Sequence, residues 1–378
     1  MISYWEQASF TGYDCIVVGA GLVGLSTAIE WRMRFPAQRI LVLERGLMST
    51  GASSRNAGFA CMGSPSELVA DLRTDTEDSV VQLFADRKAG LDLLRQRLGD
   101  ERIHYRSDGS YDLLREDELY VLDRIDYLNR LMRPVTGKDA FGISSRNAAS
   151  FGFHPGFCAA VAENYCEGAI HTGHMLRALS DLALENHIEI KTGASVSSFR
   201  EEADGVYVSV DDPLRPEGWL LRCEKLFICT NAFTRQLLPE QDVRPGRGQV
   251  LITNPIPDLP FKGIFHFEEG YYYFRELEGR VLLGGGRNID FEGETSTELA
   301  LHDRIQDRLL QLLTTQLLPG RSFTVAQRWS GIMAFGETKT PVVKAFSNRV
   351  FGAFRMGGMG VALGSLSAAR VAALAESC

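Results

Sequence analysis

The chain has 378 residues, 45% of them hydrophobic, and carries 40 lysines and arginines against 48 aspartates and glutamates, a formal net charge of −8. That length suits two domains rather than one, with enough apolar residues for buried cores. The acidic balance argues against nucleic acid or an anionic membrane as partner, and no apolar run reaches the length of a membrane span.

Seven cysteines show no CxxC or zinc-type spacing, so no metal site is expected. The first ten residues lack a basic stretch followed by an apolar core. A reducing, cytoplasmic setting fits both observations.

The strand-like run Tyr13-Asp14-Cys15-Ile16-Val17-Val18 enters Gly19-Ala20-Gly21-Leu22-Val23-Gly24 and then a helix over 22–34. A second apolar strand, Ile40-Leu41-Val42-Leu43, ends at Glu44, twenty residues after Gly24. This is the fingerprint of a βαβ unit that holds a dinucleotide. Gly19 permits the sharp turn, Gly21 lets the backbone approach a pyrophosphate, and Gly24 lets the helix pack tightly on the sheet. The helix N-terminus offers free N–H groups and partial positive charge to phosphate. Glu44 is placed to accept from a ribose hydroxyl.

A loop of small and polar residues follows, Gly51-Ala52-Ser53-Ser54-Arg55-Asn56-Ala57-Gly58. Helices are expected over 79–98 and 116–132, the second stopping at Pro134. Between them, 103–114 reads as a hairpin turning at Ser107-Asp108-Gly109. A helix over 173–186 leads to a strand at 188–192 and a hairpin over 194–211. Leu226-Phe227-Ile228-Cys229 has the wholly apolar texture of a strand buried on both faces. Residues 250–286 are mostly β, and 298–318 reads as a long amphipathic helix. A strand at 349–354, a turn at Gly357-Gly358-Met359-Gly360 and a small-residue helix over 363–375 close the chain. This second glycine turn places another helix N-terminus near the first.

The order and spacing of these motifs resemble the FAD-dependent amine and amino-acid oxidoreductases of the D-amino-acid oxidase, glycine oxidase and sarcosine oxidase type. The resemblance covers nearly the full length. It rests on Gly19–Gly24 with Glu44, on 51–58, on Glu167-Gly168-Ala169-Ile170-His171, on Ala194-Ser195-Val196, on Thr230-Asn231-Ala232, on Pro245-Gly246-Arg247-Gly248-Gln249 and on 357–364. The 52–58 loop looks most like the branch that includes γ-glutamylputrescine oxidases.

The resemblance implies an α/β fold, with a discontinuous Rossmann-like FAD-binding domain and a β-rich α+β substrate domain. The expected boundaries are 1–90, 160–235 and 330–378 for the first, and 91–159 and 236–329 for the second. It implies that Gly19, Gly21, Leu22, Val23 and Gly24 carry the FAD phosphates and that Glu44, with Arg45 beside it, binds the adenosine ribose. Ser53, Ser54 and Arg55 would meet the pyrophosphate and ribityl chain. Asn56, Ala57 and Gly58 would pass the flavin ring, and Val196 would contact adenine. Thr230, Asn231, Gly357, Gly358, Met359, Gly360 and Val361 complete the set, the last four facing the flavin pyrimidine edge.

The implied reaction oxidises the C–N bond of an amine or amino acid by hydride transfer to flavin N5, the imine then being hydrolysed. The electron acceptor is oxygen or a carrier. Where sarcosine oxidase relatives carry a lysine near the flavin N5, this chain has the apolar stretch 280–284, which leaves room for a dehydrogenase that passes its electrons to a carrier. Near 329–333, where some relatives attach flavin through cysteine, there is none, so FAD is expected to bind non-covalently.

Tyr271 and Tyr273 share one strand face, Tyr272 and Phe274 the other, so one pair can line the pocket. Tyr273, His266 and Arg328 are candidates for the substrate side, and Arg275 is favoured over Arg287 and Arg328 as carboxylate partner. Two rivals remain, an NAD-dependent dehydrogenase on the same fingerprint and a flavin-binding assembly or regulatory protein without turnover.

Overall fold

The computed structural model describes residues 2–378. Two eight-stranded sheets meet along one crevice. The first is organised by Gly12–Val18, which pairs in parallel with Ile40–Leu43 on one side and with Arg215–Ile228 on the other. Parallel pairing extends outward to Glu189–Lys191 and Val350–Phe354. Both faces of these central strands are covered, so they are continuously apolar rather than alternating.

The helix Gly360–Glu376 packs against both Leu22–Arg34 and Glu77–Leu98 through glycine contacts. A Cβ on Gly364 would stand 1.9 Å from Leu22 Cδ2, and one on Gly90 2.0 Å from the Ala362 carbonyl oxygen. The hairpin of Ser195–Glu202 and Gly205–Asp212 joins the first part of Arg215–Ile228 antiparallel. That strand therefore starts well before the apolar run at its end.

The second sheet runs Val325–Phe335, Arg244–Thr253, Arg280–Gly285, Tyr272–Leu277, Ile264–Phe267, Ser110–Leu114, Ala160–Asn164, Phe141–Ile143. One face packs Phe153, Phe261, Phe265 and Phe274 against the helix Asp303–Leu312. The other faces the crevice.

Three expectations change. The arms of the 103–114 segment do not pair with each other: Arg106 bridges Ala169, and Ser110–Leu114 lies between Ile264–Phe267 and Ala160–Asn164. Gly109 (φ 108°) bends the chain, but each arm finds a partner distant in sequence. The helix expected from 298 starts at Asp303, because Arg247 and Gln249 hold the carbonyls of Glu298 and Ala300. Pro134 does not stop its helix, Ile125–Thr136. It sits in the last turn, where the carbonyl that loses its donor belongs to the exposed Arg130 and can face water, and left-handed Gly137 makes the stop.

Ala160–Asn164 and all of Val325–Phe335 pair within the second sheet, whereas the expected boundaries at 160 and 330 assign the first, and part of the second, to the cofactor unit. No helix among the described residues is long and apolar enough to cross a membrane.

Candidate active site

The crevice is a cavity of about 780 Å³ running from the carboxyl ends of the parallel strands to the second sheet. Three strand ends converge on it and deliver Gly19–Val23, Thr230–Asn231 and Gly357–Val361 to one wall. A ligand at this edge meets loops rather than packed strand faces.

Gly19 has φ 105°, which a side chain rarely adopts, and its Cβ would meet the Cys229 carbonyl oxygen at 2.7 Å. Gly24 lies behind the wall; a Cβ there would stand 1.8 Å from the Gly19 carbonyl oxygen. Gly21 makes room in an unexpected direction, since its Cβ would stand 2.9 Å from Ser53 Oγ. That hydroxyl accepts the Leu22 amide hydrogen at 2.9 Å, at the first turn of the helix. No side chain caps the helix from Gly21 itself.

Glu44 is buried. Its carboxylate accepts from the amides of Ala20 and Gly46, both at 3.0 Å, and still borders the cavity. Arg45 lies over the Phe233 ring at 3.7 Å, and with Val196 it closes this end.

In the next loop, Ser53, Arg55, Asn56 and Ala57 line the cavity. Ser54 is exposed and turns its hydroxyl to the Gly51 carbonyl. Arg55 is committed to main chain, donating to the carbonyls of Thr50 (3.0 Å) and Ser330 (3.1 Å). Asn56 accepts from Gly58 N and Thr172 Oγ1, and donates to the carbonyls of Ala52 and Ser53. Its side chain fixes the loop. Gly58 is buried with φ 77°, and its Cβ would strike the Ile170 carbonyl oxygen at 2.4 Å.

Thr230 Oγ1 pairs with Thr234 Oγ1, and Asn231 Oδ1 accepts from the amides of Arg355 and Met356. A Cβ on Gly357 or Gly358 would meet nothing within 4 Å. The space beside this turn is open, and the helix behind it begins without a side-chain cap.

A dinucleotide fits these donors. Two helix N-termini, a carboxylate beside the first, and a bare glycine turn with room in front border one continuous space of the size ligand pockets have.

On the second sheet the alternation holds. Tyr272 and Phe274 are in the core, while Tyr271 and Tyr273 border the cavity. Burial pushes the Tyr273 phenol up to about 12. Its ring meets Phe59 edge-on, at 5.3 Å between centroids.

Arg275 is not the cavity's cation. It is buried under the loop, and its Nη1 donates to the carbonyls of Ile170 (2.8 Å), Gly58 (3.0 Å) and Ala57 (3.5 Å). Burial pulls its pKa down to about 10. Arg328 also lies outside the cavity lining, bonded to Gln306 Oε1 at 2.6 Å. Arg287 borders the cavity, between the rings of Phe335 (4.4 Å) and Phe291 (5.1 Å). Its buried Nε has no partner among the described residues, and burial holds its pKa below the ordinary value.

His266 also borders the cavity, but it is buried beside Cys61 and Glu167. The latter two were missed as site residues. Phe59 and Cys61, two apart on an extended segment, share a face, which is the one trace of this in the sequence.

The fold and cavity define a flavoprotein oxidoreductase. Residues 14–374 match the family described as DAO, FAD dependent oxidoreductase, and the chain belongs to it. It is an FAD-dependent enzyme. Among curated proteins it is similar to the mitochondrial L-2-hydroxyglutarate dehydrogenase of Nematostella vectensis, 24% identical over 86% of this chain and 74% of that one. Among solved structures it is similar to glycine oxidase from Geobacillus kaustophilus (TM-score 0.78, 19% identity, 97% and 95% of the two chains covered). It is also similar to L-proline dehydrogenase from P. horikoshii (TM-score 0.76, 16% identity, 96% and 93% covered).

Proposed function

We propose that this enzyme oxidises the carbon–nitrogen bond of an amino acid or another carboxylate-bearing amine. The observation that carries the reading is Arg287, a half-buried guanidinium at the cavity whose Nε has no partner among the described residues, flanked by two aromatic rings. A planar fork of donors matches a carboxylate bidentately, and a buried unpaired charge gains most from such a partner.

Bound FAD supplies a two-electron acceptor for the substrate's C–H hydride, leaving an imine that water hydrolyses. The chain's own residues position and shield. The amides of Gly21 and Val23 and the Ser53 hydroxyl, which already accepts from the Leu22 amide, would hold the pyrophosphate, and Glu44 would hold the ribose with Arg45 and Val196 beside it. The main chain of Asn56 and Ala57 and of Gly357–Val361, which line the cavity, would border the ring system. Arg287 orients the substrate carboxylate, and Tyr273, protonated throughout the working pH range, donates a hydrogen bond on the same wall. Phe59, Phe291 and Phe335 exclude water.

On this reading the first sheet forms the cofactor unit and the second the substrate unit, the latter including Ala160–Asn164 and Val325–Phe335. The cavity lysine, Lys339, is paired with Asp71, which supports an electron carrier rather than oxygen as acceptor.

A second reading, oxidation of a 2-hydroxy acid, is favoured by the likeness to L-2-hydroxyglutarate dehydrogenase and uses the same carboxylate anchor. One experiment separates them. The yellow protein is mixed anaerobically with amino acids, N-alkyl amino acids, amines without carboxylate and 2-hydroxy acids, and flavin bleaching is followed. Bleaching by carboxylate-bearing amines supports the first reading and bleaching by 2-hydroxy acids alone the second. Bleaching by amines without carboxylate removes the role of Arg287, and bleaching by none favours a binding protein without turnover.

A further inference from the structure

Cys61, His266 and Glu167 form a buried cluster at the inner wall of the cavity, and the oxidation chemistry above uses none of them. All three are at most 5% exposed. Cys61 Sγ lies 3.6 Å from His266 Nε2, and the same nitrogen lies 3.6 Å from Glu167 Oε2. All three donor atoms fall within 4.8 Å of one another.

A thiol–imidazole–carboxylate relay would use the two ring nitrogens separately, one toward the thiol and one toward the carboxylate. Here both neighbours face Nε2. The Nε2–Oε2 distance is also longer than a charge-assisted hydrogen bond, about 2.7–2.9 Å. The three groups surround a point instead of bonding in a line. For tetrahedral zinc with a sulfur at about 2.3 Å and a nitrogen and oxygen at about 2.0–2.1 Å, the donor–donor edges come to roughly 3.3–3.6 Å. The sulfur–nitrogen edge of 3.6 Å matches, and the nitrogen–oxygen edge of 3.6 Å exceeds its ideal by only about 0.2–0.3 Å.

The surroundings match as well. Glu167 Oε1 is filled by the amides of Met62 (2.6 Å) and Gly63 (2.8 Å), and Oε2 accepts from Ser110 Oγ at 2.6 Å. These contacts fix the carboxylate and leave an Oε2 lone pair, as the supporting groups around a metal ligand do. Asp112, paired with His266 in the sheet register, is also buried, and its Oδ1 has no partner among the described residues. One thiolate and one carboxylate neutralise a dication, and a mixed sulfur–nitrogen–oxygen set suits zinc-class metals rather than magnesium or calcium.

We propose that Cys61, His266 and Glu167 bind one zinc-class divalent cation, with its fourth coordination position toward the cavity. This stands independently of the substrate assignment. The test uses FAD-loaded protein equilibrated with zinc(II), desalted and analysed for metal, beside Cys61→Ser and Glu167→Gln. The expected result is one zinc per chain in the parent and loss of it in both variants, with flavin content and melting temperature reporting an intact fold. Cobalt(II) should give a thiolate charge-transfer band that Cys61→Ser removes. No stoichiometric zinc in the parent, or zinc retained in Cys61→Ser, overturns the proposal. If a variant fails to fold, the cobalt spectrum of the parent alone decides, since a bound cobalt without thiolate character overturns it equally.

Discussion

The guanidinium carbon of Arg287 stands 4.4 Å from the centre of the Phe335 ring, and the Gly246 backbone comes so close that a Cβ there would lie 3.0 Å from that same carbon. The arginine is thus held from two sides while its Nε has no partner among the described residues. Replacement by methionine keeps the packing and removes the charge. A charge-assisted contact is worth ~2 kcal/mol, so KM for carboxylate substrates should rise roughly 30-fold. Flavin content should be unchanged. Steady-state kinetics on the best substrate of the panel checks this, and an unaltered KM would remove Arg287 from the substrate site.

The glycine fingerprint makes a separate prediction about cofactor retention. Gly24→Ala places a methyl 1.8 Å from the Gly19 carbonyl oxygen, so the turn must open. Gly21→Leu displaces Ser53, breaks its hydrogen bond with the Leu22 amide and fills the space beside the turn. Both variants should purify with a strongly reduced flavin-to-protein absorbance ratio. A fully loaded Gly21→Leu protein would contradict phosphate binding at this turn.

The first βαβ unit was legible because its information is local: strand, turn, helix and acid all fall within 13–44. The 226–229 strand was readable from its apolar texture, and the return of the 349–354 strand from the glycine turn and helix that follow it. The error over Arg275 has a nonlocal cause. By alternation it shares a face with Tyr273, but the Ala57–Gly58 loop, more than two hundred residues earlier, crosses that face and takes its donors. The error at 107–109 is similar: the turn is real, while the partners of its arms are set by Ala169 and Ile264–Phe267. The Cys61–His266–Glu167 cluster joins three separate segments, and no spacing in the chain announces it.

Arg275 should behave as a fixing residue. In Arg275→Met the buried Ile170 carbonyl loses its donor and the 57–58 loop loses its tie to the second sheet. An unsatisfied buried acceptor costs about 1–3 kcal/mol. Thermal unfolding should therefore begin several degrees lower, with substrate KM little changed. A large KM effect at unchanged melting temperature would return Arg275 to the substrate site.

Thiol reactivity should divide sharply. Cys378 is exposed and Cys166 half-buried, whereas Cys15, Cys61, Cys158, Cys223 and Cys229 are buried. Burial raises the Cys158 thiol to about 11 and those of Cys223 and Cys229 to about 12, so they hold almost no thiolate at neutral pH. A chromogenic disulfide reagent should find one fast thiol in the native protein and seven after denaturation, and Cys378→Ser should abolish the fast phase. A second fast thiol at any of the five buried positions would show that its surroundings open readily.

The Tyr273 phenol gives the clearest pH signature. Its ordinary value is 10.0, and burial raises it to about 12 in the folded chain. Between those values the unfolded chain releases the proton while the folded chain keeps it. Folding stability must therefore fall as pH rises through this window, and the contribution is complete below pH 10. At pH 11 the loss should be about 1 kcal/mol relative to pH 9. Tyr273→Phe lacks this titration, so the difference between the two proteins' denaturant midpoints should shift against the parent from pH 9 to pH 11. Other buried tyrosines contribute equally to both proteins and cancel. Parallel curves would mean that the hydroxyl ionises as freely folded as unfolded, and that burial does not hold its proton.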